Sequence, residues 1–243
     1  MSTIVGTFML VISLLLTPAA QAQLPLPKGL DSLPGTGGQR SGGPSESRVA
    51  DGLKEALRIG TDHAVLRTSK KDGYFGNPLI KILLPDSIQT AEQGLRLAGF
   101  GPQVDEFVLS MNRAAEKAAP KAKEIFVDAI TSMTIDDALK ILNGGDTSAT
   151  DFFKRKTSKS LYKEFRPIVD DTMNQVGTVQ KYNEVVGGAN KLPFMKAGTL
   201  DVGDYVTDKA LDGLFLIVAQ EERDIRKNPA ARVTDLLKDV FGR

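Results

Sequence analysis

Cysteine is absent from all 243 residues, and that absence removes disulfides, thiolate metal sites, cysteine catalysis and lipidation of a leading cysteine together. Histidine is nearly absent. With His63 alone, neither a two-histidine metal site nor a relay between two imidazoles can be built. Net charge is small as well: Lys+Arg 31 against Asp+Glu 30 gives no global attraction for nucleic acid or anionic lipid. A nucleic-acid partner is therefore not expected. Beyond the amino end, no apolar run approaches the roughly 20 residues needed to span a bilayer, so no transmembrane span is expected in the mature chain.

Apolar residues make up 41% and charged ones 25%, an ordinary globular balance with enough apolar mass for one sizeable core. At the amino end, Ile4 to Leu16 is an apolar to weakly polar run, followed by Thr17-Pro18 and then Ala20-Gln21-Ala22. That is the layout of a secretory signal peptide over residues 1–22, with cleavage before Gln23 and a periplasmic destination. No Lys or Arg precedes the run, which leaves the positive charge to the amino terminus. A signal anchor is the competing reading, but the run is short for a span and ends at a proline. Export does not require cysteine, because a domain of this size can be stable without staples.

From residue 23 to 44 the chain repeats Pro, Gly and Ser, as in Leu33-Pro34-Gly35-Thr36-Gly37-Gly38. Such a stretch cannot bury enough surface to offset its ordering entropy, so it reads as a flexible linker. Residues 45–243 then read as a single helical domain. Val49, Leu53, Ala56, Leu57, Gly60 and Ala64 recur at i, i+3, i+4 spacing, predicting an amphipathic helix from about Ser45 to Thr68. Further helices are expected at Asp86 to Leu97 and from Pro102 onward, with a kink or a division in two at Pro120. Thr134-Ile135-Asp136-Asp137 is a capping pattern that introduces Ala138 to Leu142, which Gly144-Gly145 stops.

Asp146 or Thr147 caps a helix through Phe152 and Phe153; Ser158 opens another, kinked at Pro167; and a further segment follows Gly177 to about Val186. Lys191 to Leu200 reads as a loop. Asp201 then marks the start of the most apolar helix, Asp204 to Glu222, in which Leu211, Leu214, Phe215, Leu216, Ile217 and Val218 nearly encircle the axis and predict central burial. Asn228-Pro229 introduces a last helix over Ala230 to Phe241. Leu79 to Leu84 is the sole strand candidate, and one strand cannot make a sheet. The expected fold is all-α, a compact irregular bundle of about eight to ten helices.

No cluster matches a catalytic or cofactor-binding geometry, so no catalytic residue, metal site or cofactor is assigned. His63, next to the apolar-face Ala64, reads as a surface or boundary residue. Gly144-Gly145-Asp146-Thr147 lacks the lysine and the preceding strand of a phosphate loop and reads as a helix stop followed by a cap. Adjacent acid pairs such as Asp136-Asp137, Asp170-Asp171 and Glu221-Glu222 point about 100° apart on a helix and do not converge. Asp212, on the nearly all-apolar helix, is the oddity, because a carboxylate facing a core must find a donor or stay protonated. Asp212, Glu221, Arg226 and Arg232 are therefore the candidate ligand-binding residues, with a structural ion pair from Asp212 to Arg226 or Arg232 as the competing reading.

Five stretches, Gly52-Leu53-Lys54-Glu55-Ala56-Leu57, Asn77-Pro78-Leu79-Ile80-Lys81-Ile82, Asn112-Arg113-Ala114-Ala115-Glu116, Gly145-Asp146-Thr147-Ser148-Ala149-Thr150 and Leu211-Asp212-Gly213-Leu214-Phe215, stand in a characteristic order. Over about Val49 to Phe241 the chain resembles the bacterial domain of unknown function numbered 4197. The resemblance implies a helical periplasmic domain from a Gram-negative envelope, has no established activity attached, and transfers no functional residue. Two functions are expected from the whole. The first is a non-enzymatic envelope protein that binds a partner protein, a lipid or another apolar ligand in its bundle. The second is an enzyme using Glu116, Asp128, Asp146, Asp212 and Glu221 with a divalent metal, for which oxygen ligands suit magnesium or calcium.

Overall fold

Helices account for most of residues 45–175 and 201–227, the part of the chain that the computed structural model describes. They are α1 (Glu46–Ser69), α2 (Gln89–Leu97), α3 (Gly101–Ala118), α4 (Ala122–Thr131), α5 (Ile135–Leu142), α6 (Ser148–Gln175) and α7 (Val202–Lys227), with 3-10 turns at Asp86–Ile88 and Ala119–Lys121. No strand occurs among the described residues, so the class is all-α. The expected count of eight to ten helices is not borne out among the described residues, which hold these seven. The leader, the linker, the segment after Gly177, the Lys191 to Leu200 loop and the helix from Ala230 lie outside the described residues.

The count falls because α6 is one helix where two were expected. Ser158 does not open a new helix: its hydroxyl donates to the Lys154 carbonyl at 2.7 Å, and Thr157 does the same to Phe153 at 2.7 Å. A hydroxyl satisfied on its own preceding turn has no need to cap a terminus. Pro167 lies inside the same helix, with both it and Lys163 exposed. The carbonyl of Lys163, which Pro167 cannot bond, therefore reaches water at little cost. At Pro120, by contrast, the stretch divides, and the proline occupies the 3-10 turn between α3 and α4.

Caps behave as the chemistry of the termini requires. Ser45 accepts from the Arg48 amide at 3.3 Å and starts α1. Thr134 and Asp137 form a reciprocal capping box at α5: the Asp137 amide donates to the threonine hydroxyl at 3.1 Å, and the Thr134 amide to the carboxylate at 3.3 Å. The threonine's hydrogen bonds hold the Asp137 carboxyl below the usual carboxylate range.

The expected central helix is α7, which packs against α6, α1 and α3. Val206, Ala210, Leu214 and Ile217 are fully enclosed. Around them Phe126 of α4 meets Phe153 of α6 edge-on at 5.1 Å and Phe215 of α7 at 6.2 Å between ring centres, tying three helices into one interior. Ala114, Ala115, Ala118, Ala119 and Ala122 are also enclosed, and their small side chains let α3 and α4 lie close to their neighbours. The surround of α7 is incomplete, however. Asp208, Lys209, Asp212 and Leu216 form a stripe open to solvent, which corrects the expectation of burial nearly all round.

Candidate functional site

Between α1 and α2 the chain runs without a helix, and nearly every turn of it is held by side chains from elsewhere. Asp72 adopts a left-handed backbone, φ 64°. Gly73 follows with no room for a side chain, since a Cβ there would lie 2.5 Å from the Arg67 carbonyl oxygen. The buried Glu116 of α3 accepts from the successive amides of Tyr74 and Phe75 at 3.1 and 3.2 Å through Oε1. Its Oε2 takes Arg113 at 2.5 Å, and the other arm of that guanidinium reaches Asp72 at 2.6 Å. Tyr74, fully buried, donates its phenol to the Ala210 carbonyl of α7 at 2.7 Å. Burial, reinforced by the charge of Glu116, pushes that phenol far above the ordinary tyrosine range and keeps it a donor. Gly213 makes room for the ring: a Cβ there would lie 2.7 Å from Tyr74 and 3.1 Å from Ile80.

After Asn77 the chain makes one more turn, in which the Ile80 and Lys81 amides both donate to the Asn77 carbonyl at 3.1 and 2.8 Å, and then runs without regular structure to Pro85. Ile80, Ile82 and Leu84 are buried, while Leu79 and Leu83 are exposed. The Asn112 carboxamide holds Ile82, accepting from its amide at 2.8 Å and donating to its carbonyl at 2.8 Å. On the opposite side, Tyr205 of α7 donates its phenol to the Leu83 carbonyl at 2.8 Å. Burial, with the charge of Asp86 added, pushes the Tyr205 phenol upward and keeps it neutral.

A groove of about 320 Å³ lies between this non-helical segment and α7. Its rim carries three large apolar side chains open to solvent: Leu79 at 64%, Leu83 at 58% and Leu216 at 39% exposure. Lys81, Lys209, Asp86 and Asp212 supply two charges of each sign. A second and larger groove, of about 650 Å³, lies between α4 and α6. Lys121, Lys156 and Lys163 alternate there with Glu124, Asp128 and Glu164, and Ile125, half-buried, is the one large apolar side chain in its lining.

Asp212 does not face the core. Its side chain is 74% exposed at the first groove, and its nearest cation is Lys209 at 3.8 Å, not Arg226. Glu221 lies at the α1–α7 boundary, 2.6 Å from Arg67 and 3.4 Å from the imidazole of His63, which is more than half exposed. Arg226 is turned to structural use: it reaches the carbonyls of Ile141 at 2.7 Å and Leu142 at 3.3 Å, and it pairs with Glu222 at 3.0 Å. Arg232 lies outside the described residues. The structure thus does not bring Asp212, Glu221 and Arg226 together.

Glu222, which sequence reasoning passed over, is the buried carboxylate. Its side chain is 5% exposed and accepts from the amides of Ala149 and Thr150, both at 2.9 Å, and from the Thr150 hydroxyl at 2.8 Å. It therefore supplies the negative charge at the amino end of α6 while Arg226 supplies the positive charge at the carboxyl end of α5, each complementing a helix dipole. Asp146 bonds Lys227 beside them, which holds its carboxyl below the usual range. The signal for Glu222 was available. Leu211, Phe215, Val218, Glu222 and Ile225 follow one i, i+4, i+3 line, and all are buried.

The five carboxylates considered for a metal stand apart, in arrangements as different as Glu116 with Arg113, Glu221 with Arg67 and an exposed Asp212. Among the described residues no group of three acidic or histidine side chains is placed to hold a metal ion. The densest acidic group, Asp170, Asp201 and Asp204, surrounds Arg166, and Tyr162 also bonds Asp204. Burial pulls that guanidinium's pKa down, but the surrounding carboxylates and the phenol outweigh it. The cluster ties the start of α7 to α6.

A family model described as a protein of unknown function, DUF4197, matches residues 43–242. The chain belongs to that family. No curated protein and no solved structure matches it.

Proposed function

We propose that the protein is an exported, non-enzymatic member of the cell envelope that binds a partner protein at the groove between the non-helical segment and α7. The observation that carries this reading is the rim of Leu79, Leu83 and Leu216, three apolar side chains left in water around a concave surface. A folded chain leaves large apolar side chains grouped at a concavity mainly where something else covers them. Residue chemistry near the groove supports binding over catalysis: Tyr74, Asn112 and Glu116 all hold backbone, and the acids at the rim are exposed. Export rests on the apolar run from Ile4, the small residues before Gln23 and the Pro/Gly/Ser-rich stretch after it.

Site-specific photo-crosslinking in living cells tests the binding reading. A photoreactive residue at Leu79, Leu83 or Leu216 should give one discrete adduct, and the same residue at Lys163 in the polar groove should not. Equal labelling at all four positions would remove the proposal. Mass measurement of the protein from a periplasmic extract tests export; a chain beginning at Gln23 is expected, and a full-length cytosolic product would refute it.

A further inference from the structure

We infer that the outward ridge of α6 is a docking face for the surface of a bilayer rich in anionic lipid. The inference goes beyond the groove and does not depend on it. Summed over the chain, Lys+Arg 31 and Asp+Glu 30 nearly cancel, yet the stretch from Lys154 to Lys163 holds five cations and no carboxylate. Charge that is absent in sum is therefore present locally. A helix advances about 100° per residue, which sets Arg155, Lys156, Lys159 and Lys163 within about 100° of one another, across the axis from the buried Thr157, Leu161 and Phe165. All four cations are exposed, on a ridge about 12 Å long at the rise of an α-helix. Ion pairing does not consume their charge. Arg166 on the same helix is taken by Asp170, Asp201 and Asp204, and Lys123, Lys209 and Lys227 each meet a carboxylate, but none of the four is in an ion pair among the described residues. Lys156 lies over the Phe152 ring at 5.9 Å, a contact that leaves its charge uncompensated. Carboxylates stand on the flanks: Glu124, Asp128 and Glu164 line the polar groove on one side, and Asp137 of α5 feels Lys156 from a distance.

The make-up of the ridge decides what it fits. Three of its four cations are lysine, a compact and strongly hydrated point charge suited to a charged surface, whereas recognition of a single phosphate or carboxylate favours the forked guanidinium. No aromatic side chain of α6 is exposed for a nucleic-acid base to stack on: Phe152, Phe153 and Phe165 are buried, and Tyr162 is half-buried and bonded to Asp204. The ridge also has no exposed apolar side chain to enter hydrocarbon, so attachment is electrostatic and reversible. A plane of anionic headgroups asks for charge density and no shape match. Four unpaired cations on a convex helix supply that.

The test is sedimentation with vesicles, using the protein as its cells process it. Vesicles of phosphatidylglycerol and phosphatidylcholine in equal parts should carry it down at low salt, and vesicles of phosphatidylcholine alone should not. Raising the salt from about 0.1 M to about 1 M shortens the screening length from about 10 Å to about 3 Å and should release the protein. Each basic residue near such a surface is worth about fivefold in affinity, so Lys159→Gln together with Lys163→Gln should weaken binding about 25-fold. Arginine at both positions should retain it. Lys70→Gln with Lys71→Gln removes the same charge from exposed lysines outside α6 and should leave binding within about twofold. No sedimentation with the anionic vesicles, equal sedimentation with the neutral ones, equal losses in the two glutamine pairs, or tighter binding to duplex DNA or polyglutamate than to the anionic vesicles would overturn the inference.

Discussion

Replacing Glu221 and Glu222 by glutamine, one at a time, separates two energies that adjacent identical residues conceal. Glu221 pairs with Arg67, which is 43% exposed, and an ion pair in that setting contributes about 0–1 kcal/mol. Glu222 is enclosed and accepts from two amides and a hydroxyl of α6 while neutralising Arg226, itself 12% exposed. Removing one member of a buried pair costs about 3–5 kcal/mol, because the charge left behind keeps its desolvation penalty. Glutamine retains one acceptor oxygen, which sets the expectation near the lower end, about 3 kcal/mol. Urea unfolding followed by circular dichroism reads the difference directly. With a slope of about 2 kcal/mol per molar, the Glu222→Gln midpoint should fall by roughly 1.5 M. Glu221→Gln should move it by less than about 0.5 M. Coincident midpoints would refute the assignment of Glu222 as the link between α5 and α6.

Asn112→Leu removes the carboxamide that holds both backbone groups of Ile82; two orphaned backbone groups should cost about 2–4 kcal/mol, and hydrogen exchange at the Ile82 amide should accelerate ahead of its neighbours. Thr207 is fully buried, and its hydroxyl has no partner among the described residues, unlike Thr61, Thr68, Thr157 and Thr172, which all bond the preceding turn. Thr207→Val should therefore leave stability unchanged or raise it by up to about 1 kcal/mol, and a loss of more than that in urea would show an overlooked partner. Asp201 is held below the usual carboxylate range by the Asp204 amide first, and also by Arg166. Its unfolded form binds a proton at higher pH than its folded form, so its contribution is present above the ordinary carboxylate pKa and is lost as pH falls through the depressed one. Asp201→Asn keeps a capping oxygen without the titration, so the stability gap between the two proteins should narrow from pH 7 to pH 3; a constant gap would contradict the assignment.

Periodicity made the helices legible where one side chain after another met the same environment. The α1 residues Leu53, Ala56, Leu57, Gly60 and Ala64 were placed inward from spacing alone, and they are inward. Single positions were less legible, because their surroundings come from distant chain. Asp212 was read as facing the core because it sits on a nearly all-apolar helix, yet a narrow stripe through Asp208, Lys209, Asp212 and Leu216 is open to solvent. Glu222 was passed over for another reason: it was weighed only as half of the adjacent pair Glu221-Glu222, whose side chains diverge on a helix. What buries it is the α5–α6 corner, more than 70 residues away.

The stretches on which the family resemblance was read are better explained by how they meet than by what each contains. Asn77 to Ile82, Asn112 to Glu116 and Leu211 to Phe215 are far apart in sequence and converge on one junction: Asn112 bonds Ile82, Glu116 bonds Tyr74, and Gly213 admits both Tyr74 and Ile80. A fourth stretch, Gly145 to Thr150, meets the same helix lower down, where Glu222 accepts from Ala149 and Thr150. Asn112, Glu116 and Glu222 each hold backbone groups at these meetings. These contacts hold one non-helical segment, from Asp72 to Leu84, against α3 and α7 with Leu79 and Leu83 exposed. A segment held at so many points, with Leu79 and Leu83 still exposed, has little conformational freedom left to lose if another chain covers it, which is the thermodynamic condition for the binding proposed at this groove.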